Sequence, residues 1–190
     1  EIRLSLVGSE MCIETAYDFD KTRYQSHDGL DCSGYIGWLL YNVFHTRNGE
    51  TGYVTGASKM ARACVARGWG YLVQGDYKPG DICSMEGHVW MSLGRCMDGS
   101  VLLVHASPPG VRICGTYLDD GAKSEAVKLA EQVMQRQYPA WYARYPECGV
   151  GYFYLEDSVS MRWYTDDETD PYHLQEMQAE DVVHFLYPDM

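Results

Sequence analysis

At 190 residues the chain is long enough for one well-buried core, and its 46% hydrophobic and 13% aromatic content is that of a globular domain. No stretch approaches the roughly 18 uninterrupted apolar residues of a membrane span. A net charge of −12 and a pI near 4.8 leave no basic stripe to displace counterions from phosphate, which argues against a nucleic-acid or anionic-surface partner.

The sequence opens on Glu1 with no charged-then-apolar leader, the form of a processed chain or of a piece of a longer parent with further domains. Leu4, Leu6, Val7, Met11, Ile13 and Ala16 give residues 1–17 the apolar spacing of an amphipathic helix. Tyr17 to Gly29 is polar and without period, a loop whose Tyr17, Arg23 and Tyr24 are placed to overhang a site that follows it. Next comes Asp31-Cys32-Ser33-Gly34, running into Ile36, Leu39, Leu40, Val43 and Phe44 at helical spacing. Asp31 is the natural N-cap of that helix and Cys32 falls in its first turn. Unpaired N–H groups and the helix dipole favour a thiolate there, although a free cysteine is also a common small core residue.

Residues 48–56 are glycine-rich and irregular, and 57–68 read as a short helix closed by Gly68. Tyr77-Lys78-Pro79-Gly80-Asp81 is a turn. Val89, Met91 and Leu93 then alternate with His88, Trp90 and Ser92, and Val101, Leu103 and His105 with Leu102, Val104 and Ala106, which predicts a hairpin around Asp98-Gly99. A six-residue loop would set His88 opposite His105 with Cβ atoms about 5 Å apart. A two-residue turn would set His105 opposite Ser92 and leave His88 roughly 13 Å away. Residues 122–137 have the helical pattern of an insertion, and Tyr152 to Leu155 reads as a strand. From Glu156 to the end, ten acidic residues face the single basic Arg162, so this tail carries −9 of the −12. Its run Asp166, Asp167, Glu168 and Asp170 lacks EF-hand spacing and reads as a solvated acidic segment.

The seven cysteines (12, 32, 64, 83, 96, 114 and 148) are odd in number, so at least one is unpaired, and none stands in a CxxC pair. Cys96 and Cys114 flank the His105 strand, which leaves a disulfide between them open. A cysteine at a helix start with two histidines on paired strands has the parts of a thiol nucleophile: a base, and a group to orient the base. One thiol and two imidazoles with no adjacent carboxylate leave a tetrahedral metal a ligand short, so neither a metal nor another cofactor is expected.

Four ordered motifs bring a family into view. Leu30-Asp31-Cys32-Ser33-Gly34-Tyr35 resembles the DCSG signature of NlpC/P60 cysteine peptidases, and Lys78-Pro79-Gly80-Asp81-Ile82 resembles their K-P-G-D-L turn. Gly87-His88-Val89 with Ser92-Leu93-Gly94 is similar to G-H-V-G-I-Y-L-G, and Val104-His105-Ala106-Ser107 to I-H-A-S. The resemblance implies an α+β, papain-like NlpC/P60 fold in a single domain, its nucleophile helix packed on a central antiparallel sheet. The core would be residues 1–116 plus a strand at 150–155, with a helical insertion at 117–147 and an acidic extension at 156–190. Cys32 would be the nucleophile, His88 the general base and His105 the residue that orients it. Asp31 and Ser33 would hold the amino end of a peptidoglycan stem peptide, with Tyr17 or Tyr24 and Ser58 lining the site. The family's Y-x-W-G-G element is absent, and Gly56 replaces an arginine. The implied activity is that of a secreted or cell-envelope bacterial endopeptidase cutting after γ-D-glutamate. An N-acetylmuramoyl-L-alanine amidase, a thiol hydrolase of another amide inside the cell, and a wall-binding module without turnover are the alternatives.

Overall fold

The computed structural model of the chain describes residues 25–26, 29–44 and 53–190. The helix expected over 1–17, Cys12, Tyr17 and Tyr24 therefore lie outside the described residues. Two short strands, β1 (Gln25–Ser26) and β2 (Gly29–Leu30), pair with each other and lead into helix α1 (Cys32–Phe44). A 3-10 turn (Ala57–Lys59) and helix α2 (Met60–Ala66) follow. Strands β3 (Gly70–Val73), β4 (Ile82–Met85), β5 (His88–Arg95), β6 (Val101–Ser107) and β7 (Gly110–Thr116) come next. After them lie α3 (Glu125–Gln137), α4 (Pro139–Arg144), β8 (Gly149–Val150), α5 (Phe153–Glu156), β9 (Val159–Trp163) and α6 (Ala179–Leu186).

The architecture is mixed α+β, with a seven-stranded sheet in the order β3-β9-β4-β5-β6-β7-β8. Every neighbouring pair is antiparallel except β7 and β8. Alternation along the strands sends side chains to two apolar layers. One layer holds Val89, Leu93, Leu102, Val104 and Ile113 with Ile36 and Leu40 of α1 and Ala130 and Met134 of α3. The other holds Tyr77, Cys83, Trp90, Leu103, Cys114 and Tyr154.

Helix α3 begins at its cap, where the Val127 N–H donates to Ser124 Oγ at 3.1 Å, and it buries Ala126, Val127, Ala130, Val133 and Met134. A segment that reads as an insertion thus covers the main core. The close approach needs Gly115, since a Cβ there would stand 2.1 Å from the Ala126 carbonyl carbon.

Two expectations for the C-terminal third are corrected. Tyr152 to Leu155 is not a strand: residues 153–156 form a helical turn, and the strand here is the two-residue β8. Nor is the acidic segment from 156 only an appendage, because its β9 lies inside the sheet between β3 and β4. The Lys78–Asp81 turn explains the insertion. Asp81, fully buried, accepts from Arg162 Nε at 3.1 Å and Nη2 at 2.7 Å, and from the Lys78 N–H at 3.0 Å. Arg162 also reaches Asp76 Oδ2 at 3.2 Å and the Asp76 carbonyl. A paired charge can be buried where a lone one cannot, so this fork holds β9 in register beside β4.

Candidate active site

Helix α1 starts where the sequence places it. Asp31 Oδ1 accepts from the Gly34 N–H at 2.6 Å and from Ser33 Oγ at 3.0 Å, and the Asp31 carbonyl takes the Tyr35 N–H at 2.9 Å. Cys32 is therefore the first helical residue. Ser33 is buried, and its hydroxyl is engaged in the cap together with Asp31. The helix packs on β5 and β6. At Gly37 a Cβ would stand 2.3 Å from Val54 Cγ2, so a small residue is required there.

The two histidines are adjacent, by a register that neither hairpin model supplies. Met91 pairs with Val104, which sets Trp90 opposite His105 and His88 one diagonal step away on the same face. His88 Nε2 lies 2.9 Å from His105 Nδ1, with ring centroids 5.1 Å apart and planes at 81°. Cys32 is half-buried at the start of α1 and packs against the layer that holds Val89, the residue after His88. No hydrogen bond joins the Cys32 sulfur to His88 among the described residues.

Burial pushes the Cys32 thiol up, and the Asp31 carboxylate adds to it; backbone N–H groups pull the other way without reversing the shift. The net effect opposes the pull of the helix start towards a thiolate. Burial also lowers His88. His105, 1% exposed, is lowered to about 3 by burial, by His88 and by Arg112. Both imidazoles of the pair are thus held neutral at neutral pH. His88 Nε2 is engaged with His105, which leaves Nδ1 as the other ring nitrogen of His88.

A fourth side chain joins the group, and the sequence reading missed it. Tyr154 Oη is 3.4 Å from His105 Nδ1, and its ring meets those of His88 and His105 edge-on at 5.6 and 5.9 Å. Its phenol is pushed up to about 12, chiefly by burial and then by Cys114, with Arg112 opposing and Cys32 adding least. The aromatic run Tyr152-Phe153-Tyr154 is its one sequence signal, and nothing in that run points towards the histidines.

Ser58 stands exposed on the 3-10 turn, which neighbours β4 and β5. Cys96 and Cys114 are both free thiols, so the disulfide left open above is not formed. Among the described residues no three His, Cys, Asp or Glu side chains converge as metal ligands. Asp166 Oδ1 accepts from the N–H groups of Glu168 and Thr169, closing a turn. No protein-family model matches the chain, and no curated protein or solved structure matches it either.

Proposed function

We propose that the chain is a cysteine peptidase of the NlpC/P60 type that hydrolyses an amide bond in peptidoglycan stem peptides, after γ-D-glutamate. The observation that carries the reading is the 2.9 Å bond between His88 and His105, on strands against which the helix that begins at Cys32 packs. In the proposed cycle His88 Nδ1 takes the thiol proton as sulfur attacks the scissile carbonyl, and His88 Nε2–H donates to His105 Nδ1 as charge develops. His88 then returns the proton to the leaving amine, which gives a thioester. Water, activated by the same imidazole, releases the acid. Backbone N–H groups at the start of α1 supply donors for the oxyanion. Asp31 holds the helix start, and the amino end of the substrate would meet the part of its carboxylate not used by the cap.

The test is the mass of products released from purified muropeptides. Wild type should give fragments with a new amino terminus at the diamino acid, and Cys32→Ala should give none while keeping the wild-type circular dichroism. Equal release by both would refute the thiol mechanism, and release of intact stem peptides would move the scissile bond to the muramoyl amide.

A second reading is favoured by the cysteines. Among the described residues six thiols are free, and Cys64, Cys83, Cys114 and Cys148 of them are buried, a pattern usual in a reducing compartment. A thiol hydrolase acting on another amide there would use the same residues. Cys32-dependent turnover of such an amide without turnover of muropeptides would select it.

A further inference from the structure

We infer that Tyr154 is a positioning residue of the candidate site, which holds His105 with a bare Nδ1 and so keeps His88 Nδ1 unprotonated. The inference rests on the thiol–imidazole reading above and deepens it.

Two groups converge on one nitrogen. His105 Nδ1 has His88 Nε2 at 2.9 Å and the Tyr154 hydroxyl at 3.4 Å. An imidazole has two neutral tautomers, and the pair has two matching arrangements. If His105 Nδ1 carried the proton, it would donate to His88 Nε2. His88 would then hold its own proton on Nδ1, and its lone pair would be spent within the pair. If His105 Nδ1 is bare, it accepts from His88 Nε2–H, and the lone pair of His88 is free at Nδ1.

The phenol separates these arrangements. Among the described residues His105 Nδ1 is the one acceptor within reach of the Tyr154 O–H. A bare Nδ1 receives the phenol proton as the longer branch of a three-centre bond, whereas a protonated Nδ1 leaves that proton without an acceptor. His105 Nε2 is buried with no partner in both arrangements, so it favours neither strongly. Tyr154 stays protonated, being pushed up to about 12. Its ring is fixed by edge contacts to both histidines and to Phe153, at 5.1 Å, so the hydroxyl arrives preorganised.

The experiment is long-range imidazole 1H–15N spectroscopy of the full chain, with His88 and His105 assigned by single substitution, on wild type and Tyr154→Phe. The substitution keeps the ring and removes only the hydroxyl. Wild type should show both histidines as the Nε2–H form. Loss of a bond of this kind should move the His105 tautomer ratio about three- to tenfold towards Nδ1–H. Iodoacetamide alkylation of Cys32 at neutral pH, followed by peptide mass, should slow in the variant. A proton on Nδ1 of either histidine in wild type overturns the inference, a result that requires no variant to fold. An unchanged tautomer ratio in Tyr154→Phe also overturns it. Neither measurement uses a peptide substrate, so a failure to cleave muropeptides would strike the proposed function and leave this test intact.

Discussion

Acidification should destabilise the fold through His105, and the size of the effect follows from its burial. An imidazole titrates near 6.5 in the unfolded chain, whereas His105 is held at about 3 in the folded one. Between those two values the unfolded state binds a proton that the folded state refuses. Stability is therefore at its plateau above the unfolded value and is lost as pH falls towards the folded one, the direction expected for a depressed base. The linkage relation gives a loss of about 2 kcal/mol by pH 5 and about 3 kcal/mol by pH 4 relative to neutral pH. His88, also lowered by burial, adds in the same direction. The assay is urea unfolding at pH 7, 6 and 5 for wild type and His105→Asn, comparing how each extrapolated free energy changes with pH rather than the absolute values. Wild type should lose about 2 kcal/mol more than the variant between pH 7 and 5. Parallel curves would show that His105 is protonated in the folded state or is solvated there, and the neutral pair on which the proposed base depends would fall with it.

Arg162→Met should be among the most damaging single changes outside the core, because it strands the Asp81 carboxylate at full burial. A loss of about 3–5 kcal/mol is expected, read as a fall in melting temperature of about 10 °C or more. Asp81→Asn combined with it should recover part of that loss, and a shift of a degree or two for the single variant would refute the reading. Gly115→Ala should cost about 2–3 kcal/mol in urea unfolding, since the new methyl would overlap the backbone of residues 126 and 127 at 2.1–2.4 Å and push α3 off the sheet. A midpoint within error of wild type would show that α3 does not lie so close.

What was legible in the sequence was whatever local chemistry decides. Helices α1 and α3 announce themselves by a 3.6-residue apolar period, which in α1 coincides with the capping side chain of Asp31. Strands β5 and β6 announce themselves by strict alternation. Their register does not, because a bulge between Ser92 and Gly94 shifts the pairing. Gly94 adopts φ +115° where the backbone of Ala179 and the ring of Pro79 come within 3.1–3.3 Å of a Cβ position. Those contacts come from distant parts of the chain, so no window around the hairpin contains them. Strand β9 was hidden differently. Val159 to Trp163 is short, and it sits in a segment whose charge reads as solvated surface. Asp81, 81 residues upstream of Arg162, is the buried partner that makes that arginine an interior residue.

The same long-range logic joins the fold to the chemistry. Strand β8 lies at one edge of the sheet and β9 next to the opposite edge, so residues 151–158 must cross four strands to connect them. They cross the face that carries Trp90, Leu103 and Cys114, and the crossing is pinned at Ser158, which accepts from Trp90 Nε1 at 3.0 Å, and at Leu155, whose carbonyl takes the Tyr77 hydroxyl. His88 and His105 project to that face, and α1, which begins at Cys32, packs on β5 and β6 through the layer that holds Val89. Placing Tyr154 against the imidazoles is then a geometric consequence of the crossing. A short helical turn serves this better than the strand its sequence suggests, because it aims Tyr154 inward at 9% exposure and leaves Phe153 outward at 48%. Arg162 and Tyr154 thus belong to one device: the ion pair fixes where the crossing ends, and the crossing fixes the phenol beside the histidines.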